Sequence, residues 1–286
     1  MPAYRFCRPD DIPLLVEAVN TCYCPHFPNE PLWDVTRFKK EVRERNLWAS
    51  SCMLAFGPDG KTPVGVVLGC KRAHATLIHL IGVHPEHQRQ GHATHLLTSL
   101  SAKLAVLGPP ELMVELPEGM SGLEGILRKL DYQPVGKLTD YLSSVLPEPG
   151  ADNECIGELS FEQVRDHGFF EFTQGISWDR TLLALENRKT QLQALAFASV
   201  DALEAVLFYS RVPAQRRVDL DLFLVRDSSV KEMFFSVLLR TLVGKSADSI
   251  FRVHKISEVE LDSYTLSSVG FRKQKSYTIY TGKAAS

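Results

Sequence analysis

The residues with the clearest chemical use lie where an apolar run, Leu77 to Val83, gives way to a polar loop and then to a helix that opens at Gly91. The first-turn amides of a helix have no intrahelical acceptor, and the helix dipole favours an anion beside them. A glycine there leaves room for an anion to approach the main chain. The loop Gln88-Arg89-Gln90-Gly91-His92-Ala93 thus reads as an anion cradle made of backbone amides, with Arg89 placed to add charge or to face solvent. A Walker phosphate loop is excluded, because no Gly-Lys-Ser/Thr follows the turn. The plainer reading is an ordinary helix start in an α/β domain.

Proton acceptors stand close by in sequence. His79 lies on the strand that leads to the loop, and its imidazole chemistry suits a general base. Residues 77, 79, 81 and 83 share one face by strand alternation. Glu115, on the following strand, is a second candidate that would act through water. A packed histidine and an exposed or ion-paired carboxylate are the structural alternatives. His84, His87, His92 and His95 flank the loop and read as surface histidines. Glu30, in a segment stiffened by Pro25, Pro28 and Pro31, is a remote candidate for substrate contact. Cys22, Cys24 and His26 form one short cluster without a second ligand pair, so no metal site is expected.

The elements that must position these groups alternate through the first half. Strands are expected at Tyr4–Cys7, Ser51–Phe56, Pro63–Cys70, Leu77–Val83, Leu112–Leu116 and Tyr141–Leu146. Helices are expected after Asp10 and Asp11, over Trp33–Arg45, over Gly91–Leu107 and over Leu123–Leu130. The first helix would bury Leu14, Leu15, Ala18 and Val19, and the third Ala93, Leu96, Leu97, Leu100 and Leu104. Pro147 to Asp152 is polar and turn-forming and reads as a linker. The second half repeats the scheme: a hairpin over Ala194–Ser199 and Ala205–Ser210, a half-buried strand Val218–Val225, a helical stripe from Val230 to Thr241, a strand Ile250–Ile256, a helix Leu261–Val269 and a last strand Ser276–Tyr280. Pairing Ala93, Leu96, Leu97 and Leu100 with Val230, Met233, Phe234 and Val237 points to an internal duplication.

The chain has 286 residues, 44% hydrophobic and 23% charged, with a net charge of -2. That suits two globular domains and gives no bulk charge for nucleic acid. The basic residues between Arg37 and Arg45 are interrupted by Glu41 and Glu44, as on a solvated helix face. Six cysteines occur without a disulfide-like spacing, no leader precedes Asp10, and no apolar run is long enough to cross a bilayer. A cytoplasmic protein with reduced thiols, away from membranes, is the expectation.

The loop resembles the acyl-CoA signature of the GNAT superfamily of N-acetyltransferases, Gln/Arg-x-x-Gly-x-Gly/Ala, with Gln88, Gly91 and Ala93 in its three defined places. Val83-x-Pro85 before it and the leucine-rich helix after it fit as well. The resemblance covers roughly residues 4 to 146. It implies that amides near Arg89, Gln90, Gly91, His92, Ala93 and Thr94 bind the pyrophosphate of acetyl-CoA or another acyl-CoA, with no metal. It implies that the main chain of Ile81 and Val83 pairs with the pantetheine arm where the strand splays from its neighbour, and that a strand amide near Val83 serves the oxyanion. Leu127-Arg128-Lys129-Leu130-Asp131-Tyr132 is similar to the family's Tyr-x-x-Leu-Gly-Phe ending, with Leu127 in place of the tyrosine that protonates the thiolate and Asp131 in place of glycine.

In the second half, Gly270-Phe271 resembles the same ending. There Ser228 stands where Gly91 stands in the first half, and Asp227 sets a negative charge where phosphate would sit. The expected architecture is α/β (α+β): two tandem GNAT-like domains, 1–147 and 153–286, each a mixed, mostly antiparallel sheet flanked by helices, the second degenerate. The expected function is transfer of an acetyl or short acyl group from acyl-CoA to an amine by direct attack, in a monomer or homodimer. A non-catalytic acyl-CoA binder or assembly protein on the same fold is the alternative.

Overall fold

Runs rich in valine, leucine and isoleucine form the strands, and stripes of apolar residues at helical spacing form the faces that cover them. The computed structural model describes residues 3–143, 145–150, 153–172, 177–246 and 248–284. The strands are β1 (Ala3–Phe6), β2 (Met53–Phe56), β3 (Pro63–Lys71), β4 (Ala75–Val83), β5 (Glu111–Pro117), β6 (Gln133–Ser143), β7 (Ile156–Leu159), β8 (Leu192–Ala198), β9 (Leu203–Val212), β10 (Arg217–Val225), β11 (Ile250–Ile256) and β12 (Phe271–Lys283). The α-helices are α1 (Ile12–Cys22), α2 (Val35–Arg45), α3 (His92–Leu107), α4 (Ser121–Lys129), α5 (Phe161–Asp166), α6 (Leu182–Glu186), α7 (Lys231–Gly244) and α8 (Ser263–Ser268).

The chain forms two compact units. One runs to Val135 and resumes at Thr278; the other is Gly136–Tyr277. This differs from the division expected at 147 and 153. The segment read as a linker is held within the second unit: Arg240 Nε donates to Glu148 O at 3.0 Å and Gly150 N to Arg240 O at 3.3 Å. Ala151 and Asp152 of that segment, and Ser144 of the expected strand before it, lie outside the described residues. The first unit also takes the end of β12, where Ala284 N donates to Pro110 O at 2.7 Å.

In the first unit the strand order is β1-β2-β3-β4-β5-β12. Neighbours from β1 to β4 are antiparallel, whereas β4 and β5 are parallel over Ala75–Leu77 and Glu111–Met113 only. Beyond those residues the ladder stops, and the ends of β4 and β5 border a recess. Leu96, Leu97, Leu100 and Leu104 of α3 pack with Met53, Ala55, Val67 and Ile78 in one core, as the stripe predicts. On α1 the buried residues are Leu15, Val16, Ala18, Val19 and Cys22, so the stripe is centred one residue later than expected. The end of α1 approaches β4 closely: a Cβ on Gly82 would stand 2.6 Å from Cys22 O. Asp11 does not bond an α1 amide. Its carboxylate accepts from Arg5 at 2.7 and 2.8 Å and from Arg8 N at 2.7 Å.

The second unit orders β6-β11-β10-β9-β8-β7, with β10 and β11 its parallel pair. Here β10 is buried on both faces, because a bulge at Asp221 breaks the expected alternation: Val218, Leu220 and Phe223 join the core with Phe235, Leu238 and Leu239 of α7, while Leu222 and Leu224 pack with Phe161 and Val164 of α5. β7, α5 and α6 carry no strong periodicity and were not expected.

Candidate functional site

β4, α3 and α4 of the first unit converge on a cavity of about 500 Å³. Its walls are Ile81–Val83 at the end of β4, the loop residues Gln88 and Arg89, the helix start Gly91–Thr94, and Gly119–Leu123 with Ile126. Thus Ile81, Val83, Gln88, Arg89, Gly91, His92, Ala93 and Thr94 come together as expected, while Gln90 is outside this lining. Gly91 is the N-cap of α3 at φ 86°, in the left-handed region where glycine is favoured. No side chain caps the helix there, and a Cβ on Gly91 would meet nothing within 4 Å. The first turn of α3 therefore has no side-chain cap and borders the cavity.

Two parts of this wall were missed by sequence reasoning. Gly119, at φ 92°, turns the chain so that the start of α4 closes one side. Gly119, Gly122 and Gly125 at three-residue spacing were visible in the sequence, and a Cβ on any of them would meet nothing within 4 Å. His26 comes from the 3₁₀ turn after α1. Its Nε2 lies 3.0 Å from Val83 O and 3.3 Å from Gln88 Nε2, joining strand end and loop. Its neighbours in sequence go elsewhere: Cys22 Sγ bonds Pro63 O and Cys24 Sγ bonds Asn20 Oδ1, each at 3.5 Å.

His92 corrects the expectation of a surface histidine. It is 4% exposed and its Nδ1 lies 2.8 Å from Tyr4 Oη. Burial holds its pKa below the usual imidazole value, and His87 and His95 push it the same way. The His87 ring is 6.4 Å from His92, and the His95 ring packs on Tyr4 at 3.8 Å.

A smaller recess of about 40 Å³ lies where β4 and β5 part. Ile81, Met120 and Leu123 border both cavities, so the two are neighbours. The polar residues of the recess are His79, Glu115 and Tyr23. His79 is the extra residue of a β-bulge, since Leu80 pairs with Leu68 and Ile78 with Gly69. The bulge interrupts the simple alternation from 77 to 83. His79 Nε2 lies 3.6 Å from Glu41 Oε2 and 3.2 Å from an Arg45 nitrogen, which turns part of the expected solvent face of α2 toward the site. Glu115 is 8% exposed and so is not a surface carboxylate. Burial pushes the Tyr23 hydroxyl well above the usual phenol value, and Glu30 adds to the shift. Leu127 is wholly buried in the core with α3 and contributes nothing to either lining. Asp131 takes φ 60°, the left-handed turn that its position after α4 requires.

Among the described residues no group of three or more His, Cys, Asp or Glu is placed to hold a metal ion, and no helix is long and apolar enough to cross a membrane.

Residues 13–112 match the model of the acetyltransferase (GNAT) family. An acetyltransferase of Yersinia pestis (strain Pestoides F) is 35% identical over 72 residues, which are 25% of this chain and 51% of that protein. The chain thus spans about half the length of the curated relatives it matches. A GCN5-related N-acetyltransferase from Sphaerobacter thermophilus has a similar fold, with TM-score 0.70 and 12% identity over 100% of this chain and 96% of that one. A tandem GNAT protein from the clavulanic acid biosynthesis pathway has TM-score 0.66 and 10% identity over 100% and 99% of the two chains.

Proposed function

We propose, from the premise that residues 13–112 belong to the GNAT acetyltransferase family, that the first unit transfers an acetyl or short acyl group from acyl-CoA to an amine. The observation that carries this reading is the uncapped start of α3 at Gly91, bordering a cavity that neighbours the recess between β4 and β5. The amides from Arg89 to Thr94 take the pyrophosphate. The pantetheine arm follows Ile81 to Val83, which brings the thioester to the rim shared by the two cavities. A neutral amine attacks the carbonyl carbon and the C–S bond breaks. Glu115 and His79 accept the amine proton directly or through water. Tyr23, the hydroxyl of the recess, is the donor we assign to the leaving thiolate. The buried Leu127 favours a second reading, an acyl-CoA binder without turnover. A cytoplasmic setting suits free thiols such as Cys7, Cys22, Cys24, Cys52 and Cys70, all buried.

Calorimetry with acetyl-CoA on the full chain tests the site. The wild type should bind one equivalent, and Gly91→Glu should weaken binding by about 100-fold or more, since a carboxylate would enter the anion space and a side chain at positive φ is strained. Binding by neither protein would refute the site. Binding without thiol release across a panel of amines would leave the non-catalytic reading.

A further inference from the structure

Five histidines gather around the phosphate end of the cavity. His26 and His92 line it, and His84, His87 and His95 stand behind them. The His84 and His87 rings are 5.7 Å apart, and His87 and His92 are 6.4 Å apart. An anion cradle works through backbone amides and needs no imidazole, so the cluster is extra chemistry.

His92 is the first residue of α3, beside Gly91. There it meets the positive end of the helix dipole, and a charged imidazole is unfavourable. Tyr4 of β1 holds Nδ1, and His95 lies one turn along α3. His87, Glu86 and Arg89 belong to the loop, and His26 comes from the turn after α1. Glu86, next to His87, is the one carboxylate of that set. In the free protein the balance thus disfavours a proton on His92. A bound pyrophosphate reverses it, because two negative charges then lie on the same helix end.

We propose that the His87–His92–His95 cluster takes up a proton when the pyrophosphate of acyl-CoA binds, so that cofactor binding is proton-coupled. The inference rests on the acyl-CoA site proposed above. No bond to carbon changes: a solvent proton moves to an imidazole nitrogen on binding and returns when CoA leaves. Linkage requires affinity for CoA to rise as pH falls through the imidazole range, about pH 7.5 to 6.

The test is calorimetry of CoA binding to the full chain at pH 6.5 in two buffers of low and high ionisation enthalpy. The wild type should take up on the order of half a proton per CoA, and His92→Gln less than half of the wild-type uptake. Pantetheine, which lacks the phosphates, should bind with no buffer dependence. Should His92→Gln fail to fold, wild-type NMR of the imidazole carbon-bound protons supplies the answer: CoA should move the His92 titration to higher pH. CoA binding with no proton uptake and no shift of that titration would overturn the inference alone. No CoA binding at any pH would overturn the site itself, and the inference with it.

Discussion

The two units build the same parallel pair of strands and then treat its open end in opposite ways. In the first unit β4 meets β5 over three residues, a bulge follows at His79, and the gap beyond is a recess. In the second unit β10 meets β11 over Arg217–Leu220 and Ile250–Val253, and a bulge follows at Asp221. By ladder position His254 then stands where Glu115 stands. Yet the second gap holds an ion pair. Arg180 and Glu260, 3% and 7% exposed, bond each other at 2.8 and 2.5 Å. Arg180 also donates to Leu220 O at 2.8 Å and to His254 O at 3.2 Å, and Glu260 accepts from Phe223 N at 2.9 Å. The main-chain groups that a pantetheine arm would pair with are satisfied by the protein itself.

The helix starts differ in the same sense. Gly91 leaves the α3 amides open, whereas Asp227, before α7, accepts from Ser229 N at 2.8 Å. Asp227 thus caps the turn Ser228–Val230 that leads into α7, where the first unit has an uncapped glycine. A pseudo-repeat can therefore keep strands, bulge and helix while a few polar side chains close the site.

The largest expected effect is at the plug. Glu260→Gln should destabilise the second unit by about 3–5 kcal/mol, because it leaves Arg180 buried without its countercharge. Chemical denaturation measures it. A double change, Arg180→Met with Glu260→Leu, should recover most of that loss. If the single change costs less than 1 kcal/mol, the pair is not what closes this cleft.

Next comes the open recess. Glu115→Gln and Tyr23→Phe should each lower kcat about 100-fold while acetyl-CoA affinity, read by calorimetry, stays within about twofold. Equal loss of affinity would make them structural residues. The corresponding change in the second unit, His254→Gln, should leave kcat unaltered.

The smallest effect concerns acid. Hydrogen bonds from Arg5 hold the Asp11 carboxyl at about 2, below the usual carboxylate value. Its contribution is complete above the unfolded value, about 4, and is lost as pH falls toward about 2. Arg5 is 41% exposed, so solvent screening keeps the gain below about 1 kcal/mol. Asp11→Asn should flatten that limb of the acid stability curve for the first unit and leave the second unaltered.

Much of the cradle was legible from sequence, because it is local. A strand end, a polar loop, a glycine and an apolar helix stripe follow one another from Leu77 to Leu104, and each step constrains the next. The pairing of helix stripes was out of register: Met233 is exposed, Val230 and Val237 are only partly buried, and α7 buries Phe234, Phe235, Leu238, Leu239, Leu242 and Val243. His92 was misread because what buries it is Tyr4, 88 residues away. The solvated reading of α2 failed in part because His79, 34 residues beyond Arg45, turns toward it.

By itself the sequence determined the order of elements from β1 to α4 and the glycine at the start of α3, since these depend on backbone preference and short-range spacing. Only the tertiary structure decided that Gly119 and His26 wall the cavity, that a bulge sets His79 into the recess with Glu115, and that Arg180 reaches Glu260 to fill the second gap. Those outcomes depend on which distant side chains share a desolvated space. There each buried charge or polar group must find a partner, and no local pattern names that partner in advance.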